Sequence, residues 1–298
     1  MARKLIFMMN PHSGTAKKER VREAIVRRTT AAGIDHEFIA TNAEGRYPEL
    51  EKRIRDEGLE EIIAVGGDGT IRQVTAALRH LPVRFGLVPM GSGNGLALTA
   101  GISRDINKAL DIIYKGDHAP VDAFLVNGTY SCMLTGIGFD AQVAHDFAKE
   151  EKRGLATYVK VALRNYRKAP HYPFRIRTDD REFLIDAFFI SIANSNQFGN
   201  QFTIAPKASL EDGLLDIVIV RKMPGWRRIP AILRQLWIGQ PQQDLHKMSD
   251  VLYFQVTSID IGNPDHALLH IDGDPFPTTE HFSIDVIPSA FRLIRPVQ

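Results

Sequence analysis

The sequence predicts an α/β amino-terminal domain with a Rossmann-like, mostly parallel sheet, followed by a carboxy-terminal antiparallel β-sandwich. Three observations predict it. Up to about residue 120, apolar strand-like runs alternate with helical stretches, the pattern of a parallel sheet with helices on its faces. Beyond that point β-like runs dominate, separated by turn residues, as in a sandwich. Polar, glycine-bearing loops follow the early strands, and open parallel sheets bind ligands at strand carboxyl ends.

Each element has its own signal. Leu5 to Met9 reads as a buried first strand, and the stretch after it carries Val21, Ala24 and Ile25 on one helical face. Helices are expected over Val21 to Ala32, Pro48 to Glu57, Ile71 to His80 and Ile106 to Tyr114. Strand-like runs at Ile62 to Val65 and Phe85 to Val88 lie among them. The second half reads as strands at Ala123 to Leu134, Phe174 to Arg177, Phe183 to Ala193, Leu215 to Val220, Val251 to Ile261 and Ala267 to Ile271. Helical patterns at Val143 to Arg167 and Trp226 to Trp237 interrupt them. The tail reads as two strands, Phe282 to Ile287 and Phe291 to Ile294, joined by Pro288-Ser289-Ala290. Asn127-Gly128-Thr129 matches a glycosylation sequon but reads as a hairpin turn.

Composition bounds the function. A chain of 298 residues with 44% hydrophobic content is long enough for two ordinary domains with full cores. Its one cysteine, Cys132, expected in a strand, excludes an internal disulfide and agrees with a reducing compartment. With ten scattered histidines it gives no zinc pattern. No signal peptide is expected, because only five apolar residues precede Asn10-Pro11. No apolar run approaches the roughly 20 residues of a membrane helix. A net charge of +2 supplies no global basic field, so nucleic acid is not an expected partner.

The chemistry lies in the loops. Val65-Gly66-Gly67-Asp68-Gly69-Thr70 and Pro89-Met90-Gly91-Ser92-Gly93-Asn94-Gly95 each follow a strand-like run. Glycine permits tight turns and close approach of a phosphate to backbone N–H groups, and a following helix start favours negative charge. Asn10-Pro11-His12-Ser13-Gly14 ends the first strand in the same way. Neither the Gly-x-x-x-x-Gly-Lys-Ser/Thr loop nor the Gly-x-Gly-x-x-Gly fingerprint is present. Asp68 suits a metal or proton donor, since the neighbouring glycines allow close phosphate approach; its alternative reading is a helix N-cap. Capping alone accounts for Thr70, whereas Ser92 and Asn94, good caps too, pair with Gly91 and Gly93 in a way that favours phosphate contact.

These residues, in this order, resemble the diacylglycerol kinase catalytic family, which includes bacterial lipid kinases and sphingosine kinases. The likeness continues through Thr135-Gly136-Ile137-Gly138-Phe139-Asp140-Ala141, then Ala205-Pro206-Lys207-Ala208-Ser209-Leu210-Glu211-Asp212-Gly213-Leu214-Leu215-Asp216, and finally Ile271-Asp272-Gly273-Asp274. The last has Asp where the family has Glu. The resemblance implies that residues 1–122, with 289–298 returning to them, bind ATP, and that residues 123–288 hold a lipid. It implies nucleotide contacts from Asn10, Ser13, Gly14, Gly66, Gly67, Thr70, Gly91, Ser92, Gly93 and Asn94. Asp68, Asp122 and Asp274 would be catalytic, with Asp274 or Asp122 near the lipid hydroxyl, since an alcohol needs a base near neutral pH. Asp212, with Ser209 and Leu214, would hold Mg²⁺, an oxygen-ligand site; the alternative is a plain turn before a strand. Arg153 faces either the phosphates or solvent.

The expected activity is therefore transfer of the γ-phosphoryl group of ATP to a membrane lipid such as diacylglycerol or a sphingoid base. The expected location is cytoplasmic with peripheral membrane association. The stretch Arg221 to Trp237, basic and bearing Trp226 and Trp237, is a candidate for an anionic membrane surface or for ordinary packing. A homodimer stays open. Two other classes also stay open: a kinase of a soluble substrate resembling NAD kinases, which share Gly-Gly-Asp-Gly, and a non-catalytic nucleotide- or lipid-binding regulator.

Overall fold

The computed structural model describes residues 3–10, 15–151, 154–166, 169–196, 205–224 and 250–297. The backbone divides into two compact units, Met1–Val121 with Ser289–Gln298, and Asp122–Pro288. Asp122 therefore opens the second unit, one residue before the boundary expected from the sequence.

The first unit is built on parallel strands β1 (Lys4–Met9), β2 (Asp35–Ala40), β3 (Glu61–Gly66) and β4 (Arg84–Pro89), in the order β2-β1-β3-β4. The chain end returns as the last part of β15 (His281–Arg295), whose Arg292 and Leu293 lie parallel to Arg84 and Phe85. Helices α1 (Thr15–Ala31), α2 (Pro48–Glu57), α3 (Asp68–Leu78), α4 (Gly95–Thr99) and α5 (Ile106–Lys115) accompany the sheet. Leu5, Ile6, Phe7 and Met8 are all fully buried, as are Ile62, Ile63 and Ala64. Strands covered on both faces need continuous apolar runs, which is why these segments show no alternation. The register places Met9 opposite Val65 and Gly66 opposite Pro89. The loops after β1, β3 and β4 therefore leave the same edge of the sheet. The strand order reverses between β1 and β3, the position where sheets of this kind take ligands.

The second unit is antiparallel throughout its pairings. Strands β7 (Leu134–Gly138), β9 (Glu182–Ala193), β10 (Leu215–Arg221), β11 (Val251–Val256), β13 (Leu269–Ile271) and β14 (Asp274–Phe276) run in the order β14-β13-β7-β9-β10-β11. The first half of β9 pairs instead with β8 (Tyr172–Arg177), which leads through β12 (Ser258–Gly262) to β15, then to β5 (Asp117–Val126) and β6 (Thr129–Ser131). Phe124, Ile137, Phe174, Ile190, Ile217, Ile261 and Phe282 share one core. Val218 and Val220 point to the opposite face of β10, where Phe188 and Leu134 also pack. Helices α6 (Phe139–Ala148) and α7 (Leu155–Tyr166) cover that face through Phe139 and Tyr166. The sandwich thus carries an additional helical layer.

Several segments depart from the sequence expectation, and β2 and β14 are not among the expected strands. The tail is one strand that passes through Ser289 at φ 51°, because it pairs with β12 and then with β4. The run Val251 to Ile261 breaks at Thr257, where the chain leaves β10 for β8 and β15. The helical run Val143 to Arg167 is two helices, with Gly154 at φ 126° between them. Cys132 lies in a bend between β6 and β7, not in a strand. The Asn127-Gly128 hairpin has both residues at positive φ, as a tight two-residue turn requires. The helix expected at Trp226 to Trp237 falls outside the described residues. Among those described, no helix is long and apolar enough to cross a membrane.

Candidate active site

In the first unit the two glycine loops interlock. A Cβ on Gly67 would lie 2.9 Å from the Gly91 Cα, and one on Gly91 would lie 2.7 Å from the Gly67 Cα. Backbone meets backbone there, so neither position accepts a side chain. Gly66 is excluded from substitution differently: its Cβ would meet the Thr70 side chain at 2.2 Å. The Met90 N–H donates to the Gly66 carbonyl at 2.8 Å, which holds the two loops side by side. Gly69 and Ser92 stay exposed at the rim.

Asp68 completes the coupling. Its carboxylate accepts the N–H groups of Gly95 at 3.0 Å and Leu96 at 3.3 Å. Those are first-turn donors of α4, which have no partner within the helix. Asp68 therefore serves the helix beyond the second loop. Asn94 shapes that loop from inside. It is buried, adopts φ 54°, accepts the Gly91 N–H at 2.8 Å and donates to the Gly91 carbonyl at 2.7 Å. The Gly93 carbonyl accepts from Arg104 at 2.6 Å.

Lys18 was not singled out in the sequence. It is buried in α1, and its ammonium donates to the Asn10 carbonyl at the end of β1. Burial lowers its pKa. The signal was available, because Lys18 shares a helical face with Val21 and Ile25, where a charged residue needs a reason. Ser13, Gly14 and Arg153 lie outside the described residues.

The second unit holds the other predicted acids. Asp272 sits at φ 50° between β13 and β14, with its carboxylate buried. It accepts the Ser131 hydroxyl at 2.8 Å and the N–H groups of Cys132, Met133 and Leu134 at 3.3, 3.1 and 3.0 Å. This nest causes the bend at Cys132. The exposed Asp274 begins β14 two residues on. Asp122 is buried, and its carboxylate accepts the Gly213 N–H at 2.7 Å. Asn194, fully buried, donates to the carbonyls of Asp122 and Cys132 at 2.8 and 3.1 Å. It joins the Asp122 strand to the Asp272 nest, a link no local sequence pattern shows.

Around the expected metal loop, Asp212 accepts the Leu214 N–H at 3.1 Å, and the Ser209 hydroxyl accepts from the Glu211 N–H at 3.3 Å. Partial burial, with the Asp122 charge nearby, raises the Asp212 pKa. Asp216 is fully buried beneath this loop, bonded to the Tyr253 hydroxyl and to Gln255 at 3.3 Å. Burial pushes its pKa up to about 6. No group of three or more His, Cys, Asp or Glu residues is placed to hold a metal ion among the described residues. The Asp212 carboxylate and the Ser209 hydroxyl are oxygen ligands of the kind a hard cation takes.

Known protein domains match both parts of the chain. Residues 4–126 match the diacylglycerol kinase catalytic domain, and residues 134–295 match the YegS C-terminal NAD kinase beta sandwich-like domain. A Xanthomonas euvesicatoria protein named "Probable lipid kinase YegS-like" is 30% identical over 253 residues, covering 80% of each chain. One of the same name from Alcanivorax borkumensis is 26% identical over 304 aligned positions, covering 99% of this chain and 98% of its own. In structure, a diacylglycerol kinase chain from Bacillus anthracis superimposes with a TM-score of 0.71 at 21% identity, covering 98% of this chain and 96% of that one. Another chain from that organism reaches 0.79 at 24%, covering 98% and 95%. With both of its domains matched in order, the chain belongs to the diacylglycerol kinase-like lipid kinase family.

Proposed function

We propose that this protein is an ATP-dependent lipid kinase that phosphorylates the hydroxyl of a membrane lipid such as diacylglycerol or a sphingoid base. The observation that carries the reading is the locked pair of glycine loops at the carboxyl ends of β3 and β4, tied by Asp68 to α4. Such a cradle presents backbone N–H groups at fixed positions, and phosphoryl transfer depends on positioning and electrostatics. Asn10 and Lys18 belong to the same edge through the loop after β1. Lys18 adds a positive charge at the loop after β1.

In the transfer, the lipid oxygen forms a bond to the γ-phosphorus and the bond to the β,γ-bridging oxygen breaks, releasing ADP. The hydroxyl proton passes to a carboxylate. Asp274 suits that role better than Asp122, because Asp274 is exposed whereas Asp122 is buried and engaged by Gly213. Asp212, Ser209 and the Leu214 carbonyl would hold Mg²⁺, which when bound neutralises the acidic loop. The same reading includes a cytoplasmic protein that meets an anionic membrane surface peripherally.

Mass spectrometry of products from ATP, Mg²⁺ and a total lipid extract, with NAD in a parallel reaction, tests it. A lipid gaining one phosphate is expected. Phosphorylation of NAD alone, or ATP binding with no turnover on either acceptor, would replace this reading with one of the two other classes.

A further inference from the structure

The Asp274 turn is held from two directions. On one side the Asp272 carboxylate is fixed by the nest at residues 131–134. On the other, His270 Nδ1 accepts the Gly273 N–H at 3.2 Å. A backbone N–H only donates, so Nδ1 carries no proton and the imidazole proton sits on Nε2. That nitrogen faces Asp140 Oδ2 at 3.5 Å, long for a hydrogen bond. His270 and Asp140 are both buried, with side chains 1% and 7% exposed. Asp140 stands in the first turn of α6, and its other oxygen accepts the Ala141 N–H at 2.8 Å.

The pair meets over Gly136, the register partner of His270 on β7. A Cβ at Gly136 would lie 1.9 Å from Asp140 Oδ2 and 2.5 Å from His270 Nε2. Any other residue there would close the space the two groups occupy. Burying a carboxylate beside an imidazole is costly, and an apolar pair would fill the site more cheaply. The arrangement does one thing an apolar pair would not: it orients a ring nitrogen toward the Gly273 N–H, next to Asp274.

We propose that Asp140 and His270 are positioning residues that fix the backbone of the Asp274 turn for phosphoryl transfer. The proposal rests on the role given above to Asp274. Asp140 sets the orientation of the imidazole, His270 anchors Gly273, and Gly273 sets where the exposed carboxylate of Asp274 begins. Partners that lock the backbone behind a reacting group hold that group within its productive geometry.

The test compares His270→Asn, whose side-chain oxygen takes the place of Nδ1, with His270→Phe, which has no acceptor. Asp140→Asn and the same changes in an Asp274→Ala background complete the set. Hydrogen exchange at the Gly273 amide is read alongside kcat and KM. His270→Phe should speed Gly273 exchange at least tenfold and lower kcat about tenfold, with KM for ATP unchanged. His270→Asn should keep both within about threefold of the parent. Asp140→Asn should fall between them. In the Asp274→Ala background the kcat effects should vanish, since the positioned group is gone. Equal exchange and equal kcat in the two His270 variants would overturn the proposal, as would kcat effects that persist without Asp274. If His270→Phe does not fold, a His270→Asn protein with parental stability but a tenfold loss in kcat would overturn it too. Full activity of Asp274→Ala alone would instead remove the role assigned to Asp274, while faster Gly273 exchange in His270→Phe would still report the anchor.

Discussion

Asp68 accepts the N–H of Gly95 at 3.0 Å, so the acid of the first glycine loop is the cap of the helix that follows the second. The sequence offered a functional acid or a local N-cap for α3. The structure shows a cap that acts across 27 residues, on α4. A change at Asp68 therefore acts on loop geometry as well as on charge.

Asp68→Asn keeps one acceptor and loses the charge. Hydrogen bonds to a charged group contribute about 1.5–3 kcal/mol. The variant should melt a few degrees lower and transfer phosphate at least tenfold more slowly. Melting curves and initial rates decide it; parental values for both would show that the link between the loops is dispensable.

Gly91→Ala probes the loop contact without touching charge. Its Cβ would meet the Gly67 Cα at 2.7 Å, and backbone has little room to yield. A loss of about 1–3 kcal/mol is expected from overpacking, with a raised Kd for ATP. Calorimetry showing unchanged ATP binding would mean that the loops need not touch to bind it.

Asp216 gives a pH dependence with a definite sign. Burial pushes the pKa of its carboxyl up to about 6 in the folded state, above the ordinary value of about 3.9. The folded state therefore holds this proton more tightly than the unfolded state. The stability this supplies is complete below about pH 4 and is lost as pH rises through 6. In chelator-treated buffer, the melting temperature of Asp216→Asn relative to the parent should rise between pH 4 and 7. A difference that stays constant across that range would contradict the buried, raised carboxyl.

The metal expectation has its own test. Mg²⁺ should raise the melting temperature of the parent and leave that of Asp212→Ala unchanged, because binding to the folded state alone stabilises it. Identical melting of the parent in Mg²⁺ and in chelator would leave the loop as a plain turn.

The glycine loops were legible because their requirement is local: close backbone approach restricts residue type at fixed spacing. The two-unit architecture was legible because parallel and antiparallel sheets leave different apolar patterns. The buried connections were not. Asp272 meets residues 131–134 across about 140 positions, and Asn194 joins Asp122 to Cys132 across 72 and 62. Such pairs are chosen by the folded sheet, and a single sequence carries no mark of them. The single tail strand was missed for a related reason. Pro288-Ser289 has the composition of a turn, yet the chain runs on because strands lie ready on both sides of it.

The central claim is that the interlocked loops after β3 and β4 hold the phosphates of ATP. Hydrogen exchange with a non-hydrolysable ATP analogue tests it most directly, since it reads backbone N–H groups segment by segment. Protection is predicted in the segments containing residues 66–70 and 91–96, with the remainder of β3 and β4 unchanged. Protection confined to other segments, with these two exchanging as in the free protein, would contradict it.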